Sequence, residues 1–427
     1  MTTALITSFF QVQSKKHVRS SYSGTMNEEQ QHAYQRVIEG HSILLTGAAG
    51  CGKSFTLSNI IKWAHDNDIK LGVTSTTGSS ALLISGRTLH SFLGIGLGSK
   101  QASVLASALK KKPKIAKKLK KLDLLIIDEI SMANSELFEK ISEFLSLVRK
   151  NPLPFGGIQL ILCGDFCQLP PIEGVFCFKS LLWKKMNIEK VVLTKQVRQQ
   201  NSPEFQEILE NLRWGNCTPE ILKILKSTKN NKFPEGIIPT KIYSKNIDVD
   251  AINKKHYEEL VSTGAETRTY NSKYSAENAK SWGSSSKIPE EIEMCVGAQV
   301  FCSANLPETR IVKGSRGVVT QLCDNGVKVK FVTGEEIIIE HFTRTCEDDE
   351  SISISHIPLK LAYAVTVHKS QGCTLDAAEV DLGPSIFEYG MAYTVISRVR
   401  DLNSIRIVNV LASSFRTHPD VLKFYGK

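Results

Sequence analysis

Eight consecutive residues, Gly47-Ala48-Ala49-Gly50-Cys51-Gly52-Lys53-Ser54, fit the pattern GxxxxGK[ST]. Glycines at these positions let backbone N–H groups wrap phosphate oxygens at a helix N-terminus. The lysine of such a loop reaches the β- and γ-phosphates, and the hydroxyl after it holds magnesium. Lys53 and Ser54 are therefore candidates for binding a nucleoside triphosphate with its metal. The context suits the chemistry. The apolar run Ile43-Leu44-Leu45-Thr46 reads as a strand, and a helical pattern begins at Lys53.

A pair of carboxylates, Asp128-Glu129, closes the apolar run from Leu122 to Ile127. Acidic groups at the C-terminal end of a strand lie in the crevice where ligands bind in open α/β sheets. Asp128 is expected to hold magnesium indirectly, and Glu129 to orient the attacking water as a base. The run Ile158 to Leu162 leads into Cys163-Gly164-Asp165-Phe166-Cys167-Gln168-Leu169-Pro170-Pro171. Gln168 on this loop could sense phosphate hydrolysis; a plain structural turn explains the loop equally well.

These residues must be positioned by a sheet. Continuous apolar strands, including Lys70 to Thr74, alternate with helical patterns, which predicts a parallel sheet covered on both faces. A second α/β region follows, with helices over Pro203–Trp214 and Pro219–Lys226, a strand at Lys241–Ser244 and a helix over Asn246–Leu260. From residue 261 to 356 the pattern changes to short alternating strands: Gln299–Phe301, Gly317–Val319, Val327–Phe331 and Glu336–Ile339. Asn325-Gly326 is a strong hairpin signal. This stretch reads as a small antiparallel β-barrel inserted into the second α/β domain, which spans 197–260 and 357–427. Residues 1–25 read as a polar, basic tail.

With 427 residues the chain is long enough for about three domains, each with its own core. The net charge of +10, with a lysine-rich run from Lys110 to Lys121, favours a polyanionic partner such as nucleic acid. Ten scattered cysteines without a CxxC pair argue against a zinc site or a disulfide framework and suit a reducing compartment. No apolar run approaches the ~20 residues of a membrane span, and no secretory signal is expected. A nuclear or viral-replication setting fits; the lack of an Arg-rich presequence ranks mitochondria lower.

Taken together, the motifs resemble those of the petite-integration-frequency (Pif) helicases of superfamily 1B. The similarity runs in order from residue 26 to 427. Met26 to Gln30 is similar to the family's Q motif. Val73 to Gly78 with Arg87 to Phe92 is similar to motif Ia, Ile127 to Met132 to motif II, and Gly164 to Pro171 to motif III. Pro154 to Gln159, behind Arg149-Lys150, resembles the end of the family signature segment. Leu193 to Gln199 resembles motif IV, Val367 to Asp376 motif V, and Ala392 to Arg400 motif VI.

The resemblance implies two RecA-like P-loop domains with ATP and magnesium in the cleft between them. The first, 26–196, carries a small wedge insertion at about 89–113; the second carries a Src-homology-3-like barrel at 261–356. It implies that Gln30 reads adenine, that Gln371 belongs to the nucleotide site, and that Arg198 and Arg398 act as arginine fingers. A guanidinium so placed stabilises charge on the transferring phosphoryl oxygens. Thr77, His90, Phe92, His368 and Lys369 are implied DNA contacts by position, although core or surface roles suit each as well. The implied activity is ATP-dependent 5′→3′ unwinding of DNA, in replication, repair or recombination. Two departures stand out: Cys51 replaces a common Thr, and Val197 replaces a common aromatic, so a stacking contact to adenine there is not expected.

Other classes share these motifs in part. They are a DNA-stimulated ATPase that remodels complexes without unwinding, a RecD-like subunit of a nuclease complex, an RNA-unwinding enzyme and a clamp-associated scaffold. The tail also holds Thr3-Ala4-Leu5-Ile6-Thr7-Ser8-Phe9-Phe10, which resembles a sliding-clamp box with Thr3 in place of Gln. Ile6, Phe9 and Phe10 would form its apolar plug, with Lys15 and Lys16 behind.

Overall fold

A computed structural model of the chain describes residues 25–427, apart from 85, 97, 234–237, 245–248, 286–287, 305, 307–308, 310, 312–313, 333 and 347–348. The clamp-like box, with Ile6, Phe9 and Phe10, lies outside the described residues.

The first domain is built on six parallel strands: β1 (Ile43–Gly47), β2 (Leu71–Ser75), β3 (Arg87–Thr88), β4 (Leu124–Asp128), β5 (Gln159–Gly164) and β6 (Glu189–Leu193), in the order β3-β2-β4-β5-β1-β6. Every residue of β1 and β4 is buried. Alternate strand residues serve the two faces. Ile43, Leu45, Leu124, Ile126 and Ile161 pack with Leu57, Ile60 and Ala64 of the helix Lys53–Asp66. Leu44, Leu125, Ile127, Leu160 and Leu162 pack with Phe138, Ile141, Phe144 and Leu145 of the helix Ser135–Arg149. That helix buries residues at three- and four-residue spacing, and Asn134 caps it by accepting from the Leu137 N–H at 2.8 Å.

The segment expected to hold the wedge forms helices Leu89–Leu93 and Ala102–Ala108 and a short turn, Leu109–Lys111. Leu89, Phe92, Leu93, Ile95, Leu105 and Leu109 join the same core. The lysine-rich run forms a helix, Pro113–Lys120, whose one fully buried residue is Leu119.

The second domain has four parallel strands, ordered Ala364–Thr366, Thr240–Tyr243, Ala378–Leu382, Ile405–Val410. Its apolar residues continue the core of the first, so Leu44 and Phe138 belong to one connected cluster with Phe205, Val380 and Ile407. The helix Pro419–Tyr425 returns to the first domain. Its Phe424 stacks on Phe178 at 4.3 Å, and the Tyr425 hydroxyl lies 2.6 Å from Thr46 Oγ1 at the end of β1.

The inserted region is antiparallel, as its alternation predicts, but its strands divide among three sheets. Five strands run in the order Glu336–Glu340, Gly326–Phe331, Arg316–Leu322, Gln299–Cys302, Leu359–Leu361. Thr267–Asn271 pairs with Glu291–Cys295, and Phe342–Cys346, Asp349–His356 and Lys273–Tyr274 form a third sheet. Asn325-Gly326 sits at the hairpin turn before Gly326–Phe331. No ladder among the described residues joins the outer strands Glu336–Glu340 and Leu359–Leu361 into a closed barrel. The boundary expected at 357 also falls too early. Leu359 is buried in the insert's own core beside Val300 and Val329, and its strand pairs with Gln299–Cys302.

Candidate nucleotide-binding cleft

The phosphate loop needs glycine for two separate reasons. Gly50 and Gly52 have φ of 86° and 89°, where a side chain strains the backbone. They are also overlaid by other segments. A Cβ on Gly50 would lie 2.8 Å from the Arg198 Cβ, and one on Gly52 would lie 2.4 Å from the Gln30 amide nitrogen. Lys53 opens the following helix, and its ammonium donates to the carbonyls of Gly47 and Ala48 at 2.8 and 3.0 Å. Burial works against its charge, but Cys51, Asp165, Cys163 and Glu129 hold its pKa above the ordinary lysine value. Ser54, in the first turn of the same helix, is half-buried.

Asp128 ends β4, and Glu129 follows in a left-handed conformation (φ 54°) that turns the chain away from the sheet. Burial raises the pKa of Asp128, against a hydrogen bond from the Cys163 thiol. Burial and the neighbouring Asp128 lift Glu129 to about 7. A carboxylate so placed can exchange a proton near neutral pH, as a general base requires.

The second domain closes over these groups. Gln371 is fully buried and donates its amide to Glu129 Oε2 at 2.9 Å. Arg398 donates from Nη2 to Gln168 Oε1 at 3.1 Å, and is braced by the Thr394 carbonyl and the Ser397 hydroxyl, both at 2.8 Å. Arg198 donates to the Ser397 carbonyl at 2.9 Å. Backbone N–H groups of Val197 and Arg198 donate to the Gly50 carbonyl at 2.9 and 3.1 Å. The buried Gln199 donates to the Val399 carbonyl at 3.0 Å. Residues separated by more than 200 positions therefore meet in one polar cluster: Glu129 and Gln168 from the first domain, Gln371 and Arg398 from the second.

Comparison with known proteins identifies the family to which this fold belongs. A PIF1-like helicase family model matches residues 25–221. Human ATP-dependent DNA helicase PIF1 is 35% identical over 94% of this chain and 63% of its own length. The chain thus spans less than two thirds of that relative's length. The crystal structure of Pif1 helicase from Candida albicans superposes with a TM-score of 0.77 at 32% identity, covering 95% of this chain and 99% of that one. The chain belongs to the PIF1-like helicase family. Pif1 from Bacteroides sp in complex with ADP-AlF4 superposes with a TM-score of 0.78 at 28% identity, over 95% and 97% of the two chains. The same protein has also been seen with ADP-AlF3 and ssDNA together, and that structure superposes with a TM-score of 0.65. The two parallel sheets here are the paired RecA-like domains of the Pif1 fold.

Within this Pif1 framework, Gln30 lies buried beside the phosphate loop. Its oxygen accepts the Asn27 N–H at 3.0 Å in a capping box, and its nitrogen donates to the Cys51 carbonyl at 3.4 Å. Val197 is largely exposed next to it.

The residues expected along the DNA track divide. His368 is half-buried and Lys369 exposed, on the short helix Val367–Ser370. His90 is half-buried, and burial pulls its pKa below the ordinary value, as it does for His368. Thr77 donates to the Ser80 hydroxyl at 2.9 Å, at the start of a helix. Phe92 is a correction. Its ring is 2% exposed and packs over Gly72 and Leu125, with the Lys118 ammonium 4.3 Å from its centroid. Such a ring is part of the core and offers no face to a base.

Three buried polar residues of this cleft, Asp165, Arg213 and Tyr393, and the half-buried Tyr425 beside them were not singled out from the sequence. Arg213 of the second domain holds Asp165 of the first through two hydrogen bonds, at 3.1 and 3.3 Å, with both side chains buried. The one signal present was polar character inside apolar runs, as with Tyr393 in Met391–Ile396.

Proposed function

We propose that this chain is an ATP-dependent DNA helicase that moves 5′→3′ along single-stranded DNA and separates duplex ahead of it. The observation that carries the reading is the two-sided cluster, in which Glu129 and Gln168 are bonded to Gln371 and Arg398 across the cleft. A site completed by both domains makes hydrolysis depend on closure, and closure moves one domain relative to the other. The ADP-AlF3 and ssDNA complex of Bacteroides Pif1 supports both ligand classes for this chain.

The residues present fit a nucleotide. Gly50 and Gly52 leave backbone where a Cβ has no room, and the buried Gln199 and Gln371 side-chain oxygens have no hydrogen-bond partner among the described residues. In our reading Lys53 and the backbone of Gly47, Ala48, Gly50, Cys51 and Gly52 bind the phosphates, with Gln30 beside the base; Ala49, in the same loop, gives its N–H to Tyr393. Ser54 and Asp128 would hold magnesium, which supplies positive charge to the phosphate oxygens. Glu129 accepts a proton from the attacking water, and Gln371 fixes the carboxylate. Arg398 and Arg198 stabilise negative charge on the phosphoryl group, and Gln168 links Arg398 to the first domain.

Thr77, His90, His368 and Lys369 form the proposed single-strand track, and single-stranded DNA and forks are the proposed partners. A sliding clamp held by Ile6, Phe9 and Phe10 is a further proposed partner; deletion of residues 1–12 should abolish its pull-down. Unwinding of forked duplexes bearing a 5′ or a 3′ single-stranded tail tests the main reading. ATP-dependent strand separation from the 5′ tail is expected, with none for Lys53→Ala. Activity from the 3′ tail alone overturns the polarity, and ATP turnover without strand separation favours a remodelling ATPase.

A further inference from the structure

A buried hydroxyl of the second domain is bonded to the phosphate loop itself. The Ala49 N–H donates to Tyr393 Oη at 3.1 Å. Tyr393 Oη in turn lies 3.4 Å from Asp165 Oδ2 and donates to it. Asp165 is fixed on its other side by Arg213 and accepts the Cys167 N–H at 3.2 Å. Ala49, Tyr393, Asp165 and Arg213 are all buried.

The direction of this chain of bonds is determined. A tyrosine hydroxyl has one proton to give. Asp165 beside the Arg213 guanidinium is held ionised and can only accept, so the proton points toward it. The oxygen lone pairs then face Ala49, where only a donor is tolerated. The hydroxyl is thus the one side-chain group fitted to that N–H, and a phenylalanine would fill the same space without it.

Tyr393 is also tied to the reacting groups. It sits on the helix Met391–Ile396, five residues before Arg398. Gly390 caps that helix in the left-handed region, so close to the Gln168 and Cys167 carbonyls that a Cβ would meet them at 2.2 and 2.4 Å. This short helix and the turn that follows it therefore touch the phosphate loop through Tyr393 and the Gln168 loop through Arg398.

We propose that Tyr393 is a positioning residue for ATP hydrolysis: its hydroxyl, directed by Asp165 and Arg213, holds the phosphate loop in its hydrolytic arrangement only while the second domain is docked. This rests on the ATPase reading above. The Ala49 N–H is held by tyrosine in this arrangement, and Lys53 with the other N–H groups of the loop is left to carry the phosphates, so the hydroxyl adds little to nucleotide affinity. Its loss shows in turnover instead, because small displacements of positioning groups cost large factors in rate.

The test is Tyr393→Phe in the full chain, with steady-state ATP turnover at saturating oligo(dT) and kcat counted per nucleotide-binding site, which removes any unfolded fraction. The expected result is a fall in kcat of about tenfold, with KM for ATP within about twofold of the parent. A merely structural hydroxyl would lower the melting temperature and leave kcat per site unchanged. That outcome, or a raised KM at unchanged kcat, overturns the proposal. If the parent chain itself turns over no ATP with DNA, the ATPase reading fails and not this assignment alone.

Discussion

Gln371 donates its side-chain amide to Glu129 across the interface of the two RecA-like domains, at 2.9 Å. The carboxylate that would activate water is thereby oriented by the domain that must close on it. An arrangement of this kind ties the protonation and direction of Glu129 to domain position, and it makes both residues accessible to separate tests.

Replacing Glu129 with Gln should keep nucleotide binding while lowering DNA-stimulated ATP turnover by about 10²- to 10⁴-fold, the range for loss of a general base. Equilibrium binding of a fluorescent ATP analogue beside steady-state turnover measures both. Turnover within tenfold of the parent would remove Glu129 from its assigned role.

The same substitution has a signature in stability. Burial and Asp128 raise Glu129 from 4.5 to about 7 in the folded chain. The folded state then binds more protons than the unfolded state between those values, so stability from this group is present at low pH and lost as pH rises through 7. Denaturation of the ligand-free chain at several pH values should show the parent losing stability relative to Glu129→Gln between about pH 4.5 and 7, by at most about 1.4 kcal/mol per unit. A constant difference across that window contradicts the raised value.

Phe92→Ala should cost about 3–5 kcal/mol of folding stability, as deletion of a buried aromatic ring does. Single-strand affinity, measured per folded molecule by fluorescence anisotropy, should stay near that of the parent. A selective loss of DNA affinity with stability intact would restore Phe92 to the track.

Arg213→Met leaves the buried Asp165 carboxyl without its partner. Breaking a buried pair from one side typically costs about 3–5 kcal/mol. Urea denaturation should report a loss of that order, and a change near zero would mean that the pair is far more hydrated than its burial indicates.

Lys117, Lys120 and Lys121 are exposed on or beside the helix Pro113–Lys120. Changing all three to Gln should weaken binding to forked duplex and flatten its salt dependence by about 0.9 in log–log slope for each phosphate no longer neutralised. Titrations at a series of salt concentrations check this. An unchanged slope assigns these lysines to solvation alone.

Much of this site was legible in the sequence because its chemistry is local. Gly50, Gly52, Lys53 and Ser54 lie within one turn, and β1 and β4 announce themselves as unbroken apolar runs ending in functional residues. Arg398 and Gln371 were reachable only through resemblance, since nothing local reveals which carboxylate or amide a residue more than 200 positions away will meet. Phe92 shows the opposite failure. A motif places a residue in sequence, but whether its ring faces a base or the core depends on Gly72 and Leu125, which lie on neighbouring strands. Asp165, Arg213 and Tyr393 were invisible for a similar reason, because each is unremarkable alone and acquires a role only by burial together. The insert's edge was set too early because nothing within Leu359–Leu361 itself reveals the antiparallel partner it finds in Gln299–Cys302.

The hydrogen bond between Tyr425 and Thr46 has a mechanical consequence. The chain crosses from the first domain to the second through residues 194–202 and comes back with the helix Pro419–Tyr425. The second domain is thus tethered to the first by the covalent crossing and by this returning helix, in addition to the shared core and the polar contacts of the cleft. Any relative motion of the two domains must therefore either break the Tyr425–Thr46 bond or pivot about it.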